Sequence, residues 1–234
     1  MNPVEAASEL RSVLDDMTTV MAGELGELFD RAAGTDTAAG RALVIEAYPE
    51  IVTPWAVTAA ETSALWYDDL APELPYTAAP ATPAPVEQLQ ASAAWATTQD
   101  RALELLIGSA QRVVFGASRD TVVRAADDEP GTRWARTASA TACPWCRMLA
   151  TRHAVYSGRL VRERVGDTGR LVTENGKRYH DNCRCLAVAV RPGRSYEPPS
   201  YMEQWEQEYR DAREAAGSGD PKAIMAAYRE LLKP

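Results

Sequence analysis

Apolar residues recur at helical spacing from the start of the chain. The stretch Asn2-Pro3-Val4-Glu5 is typical of a helix start, because Asn can cap a helix and Pro is tolerated at its first position. Alternating steps of four and three residues then predict one long helix that ends near Gly34. The apolar side of this helix consists of Leu10, Leu14, Met17, Met21 and Leu28.

Prolines interrupt the helical pattern twice. Pro49 and Pro54 predict a break between a short helix over 35–47 and a third helix that ends near Leu70. The segment 72–85 holds five prolines among alanines and threonines. That composition predicts an extended, polyproline-like connector rather than a helix.

The middle of the chain returns to helical spacing. One long helix is predicted over 86–115, with Gly116 as its stop, followed by a shorter helix that begins at Ser118. A helix over 133–136 is expected to lead towards another short helix over 147–152.

The spacing of apolar residues changes after residue 154. Over 155–179 apolar and charged residues alternate between glycines, which is typical of strands and hairpins, and 186–190 is a last strand candidate. Helices are predicted again over 201–216 and from Asp220 onwards. The division that follows is an N-terminal helical region (1–71), a proline-rich linker (72–85), a central helical region (86–139), a β-containing module (140–191) and a C-terminal helical tail (192–234).

All four cysteines and one of the two histidines fall in two short clusters. Cys143 and Cys146 form a Cys-x-x-Cys pair, and His180, Cys183 and Cys185 form the second cluster. Thiolate and imidazole are ligands that zinc prefers, and structural zinc sites are closed tetrahedra of four such groups. The sequence therefore predicts a structural Zn²⁺ ion that staples the small β-containing module. The fold class is then α+β, with a mostly helical body, a zinc-stapled β-hairpin module and C-terminal helices.

The fourth zinc ligand remains open. Cys143, Cys146 and His180 are the first three predicted ligands. Cys185 is favoured over Cys183 as the fourth, because the longer spacing from His180 gives the chain room to curl round a metal.

Other uses of these residues fit the sequence less well. A redox Cys-x-x-Cys pair belongs in a strand-helix setting, which the small residues of 138–142 do not resemble. Structural disulfides dominate in small secreted domains, and the first ten residues lack a signal-peptide pattern. His153 has a poorer spacing from Cys146 than His180 has, and we expect it at the surface.

The formal net charge of −8 is unevenly distributed. The stretch 140–194 carries 11 Lys/Arg against 4 Asp/Glu, a formal charge of +7, while the remainder carries −15. A basic module favours either a polyanionic partner such as DNA or docking on the chain's own acidic helices, and both remain open. The candidate nucleic-acid contacts are Arg159, Arg162, Arg164, Arg170, Lys177 and Arg178.

No catalytic signature is recognisable. The sequence lacks a Gly-x-Ser-x-Gly elbow, a phosphate loop, a His-Glu-x-x-His motif and a glycine-rich dinucleotide signature. The paired carboxylates Asp68 and Asp69 are expected to be a solvated helix end. No apolar run is long enough to span a bilayer. We therefore expect no catalytic residue, no small-molecule substrate and no membrane partner.

Several motifs accompany the cysteine clusters. They are Asp100–Leu103 and Ser118–Val122 in the helical region, Cys143–Arg152 followed by Ala154–Tyr156, and the closing run Tyr179–Cys185. Together they resemble the MuF-like minor head proteins of tailed phages, also called head morphogenesis or minor capsid proteins, especially those of actinobacterial phages. The resemblance covers most of the chain in layout and is specific from about residue 94 to residue 190.

This resemblance implies a structural role. Such proteins are thought to be present in few copies at the portal region of the head, where they aid head assembly and DNA packaging or delivery. It implies the portal protein as partner, the major capsid protein and packaged DNA as further candidates, and a place in the virion after synthesis in the host cytoplasm. The alternative is a zinc-dependent nucleic-acid-binding protein that acts inside the host cell. A zinc nuclease using His153 or His180 is disfavoured, because His153 is poorly placed and no carboxylate accompanies it.

Overall fold

The structure is a computed structural model of the 234-residue chain and describes residues 3–34, 36–152, 154 and 182–233. The described part divides into two compact units. Four helices make up most of one unit, and a two-stranded sheet with three helices makes up most of the other. In chain order the elements are α1 (Pro3–Arg31), α2 (Ala38–Asp69), α3 (Val86–Ala96), α4 (Ala102–Asp128), β1 (Arg133–Thr137), α5 (Pro144–Ala150), β2 (Leu186–Val190), α6 (Tyr201–Ala216) and α7 (Pro221–Leu231).

The predicted fold class is confirmed, since a mostly helical body accompanies a small antiparallel sheet and a cysteine group. The predicted hairpin over 155–179 lies outside the described residues. The five-part division of the chain stays a prediction.

Helix α1 confirms the N-terminal prediction. It begins at Pro3, and Ala33 and Gly34, both with positive φ (48° and 72°), end the helical run. Four of the five predicted apolar residues are buried and Met17 is half-buried, while Leu25 fills the gap in the pattern next to Glu24.

The predicted break at Pro49 and Pro54 is wrong, because α2 runs through both prolines. Each proline costs a backbone hydrogen bond, but burial of a long helix face outweighs that local cost. Tyr48, directly before the first proline, is fully buried and donates its hydroxyl to the Leu106 carbonyl at 3.2 Å. The buried face of α2 comprises Gly40, Val44, Tyr48, Pro49, Val52, Ala56, Ala59, Ala60, Ser63, Ala64 and Tyr67.

The proline-rich segment 72–85 lies outside helices and strands, as predicted. Two of its backbone N–H groups donate to side chains at 2.9 Å: that of Ala78 to Asp68 Oδ1 and that of Ala81 to Thr121 Oγ1. The segment is thus tied to α2 and α4. Asp68 is a hydrogen-bond acceptor for this connector rather than the solvated helix end that was expected.

The single helix predicted over 86–115 is in fact two helices, α3 and α4. The Thr97 and Thr98 hydroxyls bond back to the carbonyls of Ala94 at 3.0 Å and Trp95 at 2.7 Å. Hydroxyls that bond to preceding carbonyls compete with the helical pattern, which accounts for the interruption after Ala96.

Gly116 does not stop α4, which continues to Asp128. Ser118, predicted to start a new helix, lies inside it. The hydroxyl of Ser63 on α2 donates to the Ser118 hydroxyl at 2.7 Å in a buried position. This contact and the buried Phe115, Val122 and Val123 hold the helix through its glycine.

The helix predicted over 133–136 is wrong, because these residues form β1. β1 pairs antiparallel with β2, with Arg133 opposite Val190 and Thr137 opposite Leu186, so the predicted last strand is confirmed. Four of the five residues of β1 are buried, and ladder hydrogen bonds satisfy their backbone there. Gly131, with φ 79°, turns the chain between α4 and β1.

A buried ion pair closes the open end of this sheet. Arg191 Nε lies 2.8 Å from Glu129 Oε2, and both side chains are almost fully buried. Thr132 Oγ1 donates to the same carboxylate oxygen at 3.1 Å. The residue before the turn and the residue after β2 are thereby joined.

Helices α5, α6 and α7 share one apolar cluster. The predictions of a helix over 201–216 and of a last helix from Asp220 onwards are confirmed. Leu231, the last residue of α7, is half exposed. The buried members of the cluster are Met148, Leu149, Ala212, Ile224, Met225 and Tyr228.

A polar network crosses the rim of that cluster. Glu208 Oε2 accepts the Tyr228 hydroxyl at 2.9 Å and lies 3.5 Å from Arg147 Nη1. The guanidinium of Arg147 also lies 5.5 Å from the ring centroid of Trp205. Burial, and then the hydrogen bond to Glu208, raise the pKa of Tyr228 above its ordinary value. The C-terminal helices therefore pack against α5.

Replacement of Gly40 by Ala should destabilise the helical unit by about 1–3 kcal/mol, because the new Cβ has no room. It would lie 2.5 Å from the Ala32 carbonyl oxygen and 2.7 Å from that of Gly34, both backbone atoms. Gly26→Ala is the matched control: its Cβ meets nothing within 4 Å. It should stabilise α1 by about 0.5–1 kcal/mol. Thermal unfolding measures both, and equal effects of the same sign would contradict the packing described.

Replacement of Tyr228 by Phe should reduce stability by about 1 kcal/mol, since Glu208 loses one buried donor while the ring stays in place. Tyr209→Phe is the control, because Tyr209 packs against the same cluster. The measurement is guanidinium unfolding of both variants at neutral pH. An unchanged midpoint for Tyr228→Phe would show that the network contributes nothing to holding α7.

Candidate metal centre

Three cysteine sulfurs converge in the structure. The Sγ atoms of Cys146, Cys183 and Cys185 all lie within 4.8 Å of one another, and the three residues are at most 3% exposed. None of the four cysteines, all of which are described, forms a disulfide. The arrangement brings together one member of the first sequence cluster and two members of the second.

The pairing of β1 with β2 explains why these clusters meet. Antiparallel strands place the end of one opposite the start of the other, and here Thr137 faces Leu186. Cys146 follows the end of β1 by nine residues, and Cys185 directly precedes β2. Both clusters therefore leave the sheet at the same end.

Helix α5 positions Cys146. Cys143 stands at its N-cap and Pro144 at its first position, so Cys146 lies in the first turn. The side chain of Arg147 donates from Nε to the Ala142 carbonyl at 2.8 Å, which fixes the entry to the helix. The Cys-x-x-Cys spacing thus follows from a helix start, and it buries Cys146 while Cys143 stays half-buried.

Alternation positions the second pair. Cys183 and Cys185 are buried and Arg184 between them is exposed, and Asn182 before them adopts a positive φ of 61°. Alternate residues of an extended chain point to the same side. A Cys-x-Cys spacing can therefore present both thiols to one centre.

Two buried arginines contact this group. Arg136 donates from Nη1 to the Sγ of Cys146 at 3.7 Å and is fully buried. Arg119 donates from Nη2 to the carbonyl of Cys183 and lies 5.5 Å from the ring centroid of Phe115. Positive charge near sulfur favours the thiolate, which is the form that binds metals.

The donor set fits a thiophilic metal. At a Zn–S distance of about 2.3 Å, two sulfurs of a tetrahedral site lie about 3.8 Å apart, which is within the spread of the three thiols. Three buried, clustered thiols could therefore bind a metal ion and leave one coordination position for a further ligand.

The structure places some of the predicted zinc ligands together and not others. Cys146, Cys183 and Cys185 are brought together, and the geometry does not favour Cys185 over Cys183. Cys143 is described but is not a member of the group. Its role as a ligand stays a prediction. His180, and the alternative His153, lie outside the described residues, as do all six candidate nucleic-acid contacts: Arg159, Arg162, Arg164, Arg170, Lys177 and Arg178.

Sequence reasoning missed both arginines at the centre. The sequence predicted Arg136 as part of a helix. Arg119 was noted only as one residue of the motif Ser118–Val122, with no role assigned to it. The available signal was an arginine inside an otherwise apolar or small-residue run, as in Trp134-Ala135-Arg136. A buried arginine requires an anion or several acceptors, so such a position can indicate a polar centre in the core.

The comparison with protein families identifies the chain's class. The model of the VG15 protein family matches residues 1–212. The chain therefore belongs to the VG15 family, a phage-type viral protein family. No curated protein and no solved structure matches it. Within the described ranges, no helix combines the length and apolar character needed to cross a membrane.

Cysteine-to-serine variants separate the possible ligands. Cys146→Ser should reduce bound metal from one equivalent to close to none, because it removes a member of the buried group. Cys143→Ser decides the remaining position: loss of metal assigns Cys143 as a ligand, and retention leaves that position to another residue. Elemental analysis after purification in a zinc-containing medium gives both numbers. A full equivalent of metal in Cys146→Ser would contradict the proposed centre.

Proposed function

We propose that the chain is a minor structural protein of a tailed-phage head that associates with the portal and holds a structural zinc ion in its cysteine group. The observation that carries the proposal is the buried group of Cys146, Cys183 and Cys185 in a chain of a phage-type family. The three cysteines of this group belong to the motifs that resemble the MuF-like minor head proteins.

Zinc would act here as a staple. The ligands proposed are the three clustered cysteines and one of Cys143 and His180, which completes a closed tetrahedron. A metal held by Cys146 and Cys183 would join two segments of the folded chain, and its binding free energy would add to the stability of the folded state. A sheet of only two strands is marginally stable alone, so this cross-link would add to the stability of the described sheet.

The burial of the centre supports a structural rather than a catalytic use. Catalytic zinc sites keep one position open to water and substrate, whereas the three cysteines here are at most 3% exposed. The nearby arginines bond to a cysteine sulfur and a cysteine carbonyl. We therefore propose that the chain is not an enzyme.

The partners follow from the family resemblance and the charge distribution. We propose the portal protein as the main partner, with the major capsid protein and packaged DNA as further contacts at the head interior or portal vertex. The formal +7 charge of residues 140–194 is suited to a polyanion in that location.

The same charge supports a second candidate, a zinc-dependent nucleic-acid-binding protein that acts inside the host cell. DNA affinity that falls steeply with salt and is lost when Arg159, Arg162 and Arg164 are replaced by Glu would favour this activity. The two candidates differ in where the protein is found, since only the first requires it in the particle.

Quantitative mass spectrometry of purified virions tests the proposal. We expect a low copy number relative to the portal and major capsid subunits, as for a protein at one vertex. Treatment of the particles with a protease provides the control, because a protein inside the head is protected and an adhering contaminant is digested. Absence from the particles would exclude the head role and leave the intracellular candidate.

A further inference from the structure

The described part of the chain buries three arginines, Arg119, Arg136 and Arg191. Burial of a guanidinium away from water is costly unless an anion or a set of acceptors compensates it. Arg191 has the carboxylate of Glu129 at 2.8 Å, and Arg119 donates to a backbone carbonyl and lies close to an aromatic ring. Arg136 donates from its Nη1 to the sulfur of Cys146.

The strand register places Arg136 on the side of the cysteines. Arg136 lies opposite Ala187 in the sheet, and Cys185 precedes Ala187 by two residues. Two residues is the period at which an extended chain returns to the same face. Arg136 is thus related to Cys185 by the sheet and to Cys146 by a direct contact of 3.7 Å.

The positive charge of Arg136 is suited to a position beside a metal–thiolate centre. A zinc ion bound by three thiolates carries a net charge of about −1, and a fourth thiolate makes it about −2. Such a centre is itself costly to bury without a positive group close by. A buried arginine that donates to one of the sulfurs and a buried anionic centre each lower the free-energy cost of burying the other.

We propose that Arg136 is the counter-ion of the metal–thiolate centre, which it stabilises through its N–H contact with the sulfur of Cys146. This inference rests on the proposed zinc site and adds to it a residue that sets metal affinity without binding the metal. Arg136 is a positioning residue in this sense, since it acts through Cys146.

The first test is the affinity of the full chain for Zn²⁺, measured by competition with a chromophoric chelator. Arg136→Met removes the charge and keeps an unbranched, apolar side chain in place of the arginine stem. We expect it to weaken Zn²⁺ binding by about 10–100-fold, the usual effect of removing an outer-shell partner of a metal ligand. Arg133→Met is the matched control, because Arg133 lies on the same strand and is exposed. Its affinity should equal that of the wild type.

The second test uses Co²⁺ in place of Zn²⁺ and records the sulfur-to-cobalt charge-transfer bands. Loss of the N–H contact leaves the thiolate more electron-rich, so these bands should move to lower energy in Arg136→Met and stay unchanged in Arg133→Met. A residue that only filled space in the core would lower stability without moving the bands. Arg136→Lys covers the case in which Arg136→Met does not fold. It keeps a positive charge, so it should lose less Zn²⁺ affinity than Arg136→Met does.

The outcomes are distinct. Affinity and bands in Arg136→Met that match those of Arg133→Met would overturn the counter-ion role and leave the zinc site intact. A loss in Arg136→Lys as large as that in Arg136→Met would also overturn it, because charge would not be the property that matters. A wild-type chain that takes up neither Zn²⁺ nor Co²⁺ would instead refute the zinc site itself, and the inference with it.

Discussion

The antiparallel pairing of Arg133–Thr137 with Leu186–Val190 is the constraint on which the candidate metal centre depends. Two cysteine clusters that are far apart in sequence can share one centre only if the chain brings them to the same place. In the observed register Thr137 lies opposite Leu186, so both cysteine clusters follow or precede the strands at the same end of the sheet. The buried pair of Glu129 and Arg191 joins the other end. A sheet of two strands is only marginally stable alone, so the stability of the described sheet depends on the contacts at its two ends.

Each of the two buried arginines at this sheet has an identified acceptor. Arg191 meets a carboxylate, and Arg136 meets the sulfur of Cys146. Each contact offsets part of the free-energy cost of burying an arginine at the sheet. Helix α5 adds a third connection, since Arg147, next to Cys146, binds Glu208 and so ties the cysteine-bearing helix to the C-terminal helices. The cysteine group, the strand pairing and the docking of the last two helices thus involve residues that lie close together in sequence.

The helical unit illustrates a different balance, in which packing overrides local signals. Pro49 and Pro54 are helix-breaking residues, yet α2 continues through them because its inner face is buried along its length. Gly116 is equally unable to stop α4, where Ser118 bonds to Ser63. In contrast, the helix ends at Ala96 without proline or glycine, because Thr97 and Thr98 satisfy nearby carbonyls. The continuation of α2 and that of α4 share a cause, because the free energy gained by burying a helix face exceeds the cost of one lost backbone hydrogen bond.

The sequence by itself determined the elements that depend on neighbouring residues. The first helix with its apolar stripe, the Asp220-Pro221 helix start, the strand 186–190 and the grouping of the cysteines all follow from local chemistry, namely capping, periodicity and ligand type. Tertiary structure alone decided that Arg133–Thr137 is a strand, because its identity depends on a partner strand that lies 49 to 57 residues further along the chain. It also decided which cysteines converge and that Arg136 lies against one of them. Long-range pairing sets these features, and local propensity carries no information about a distant partner.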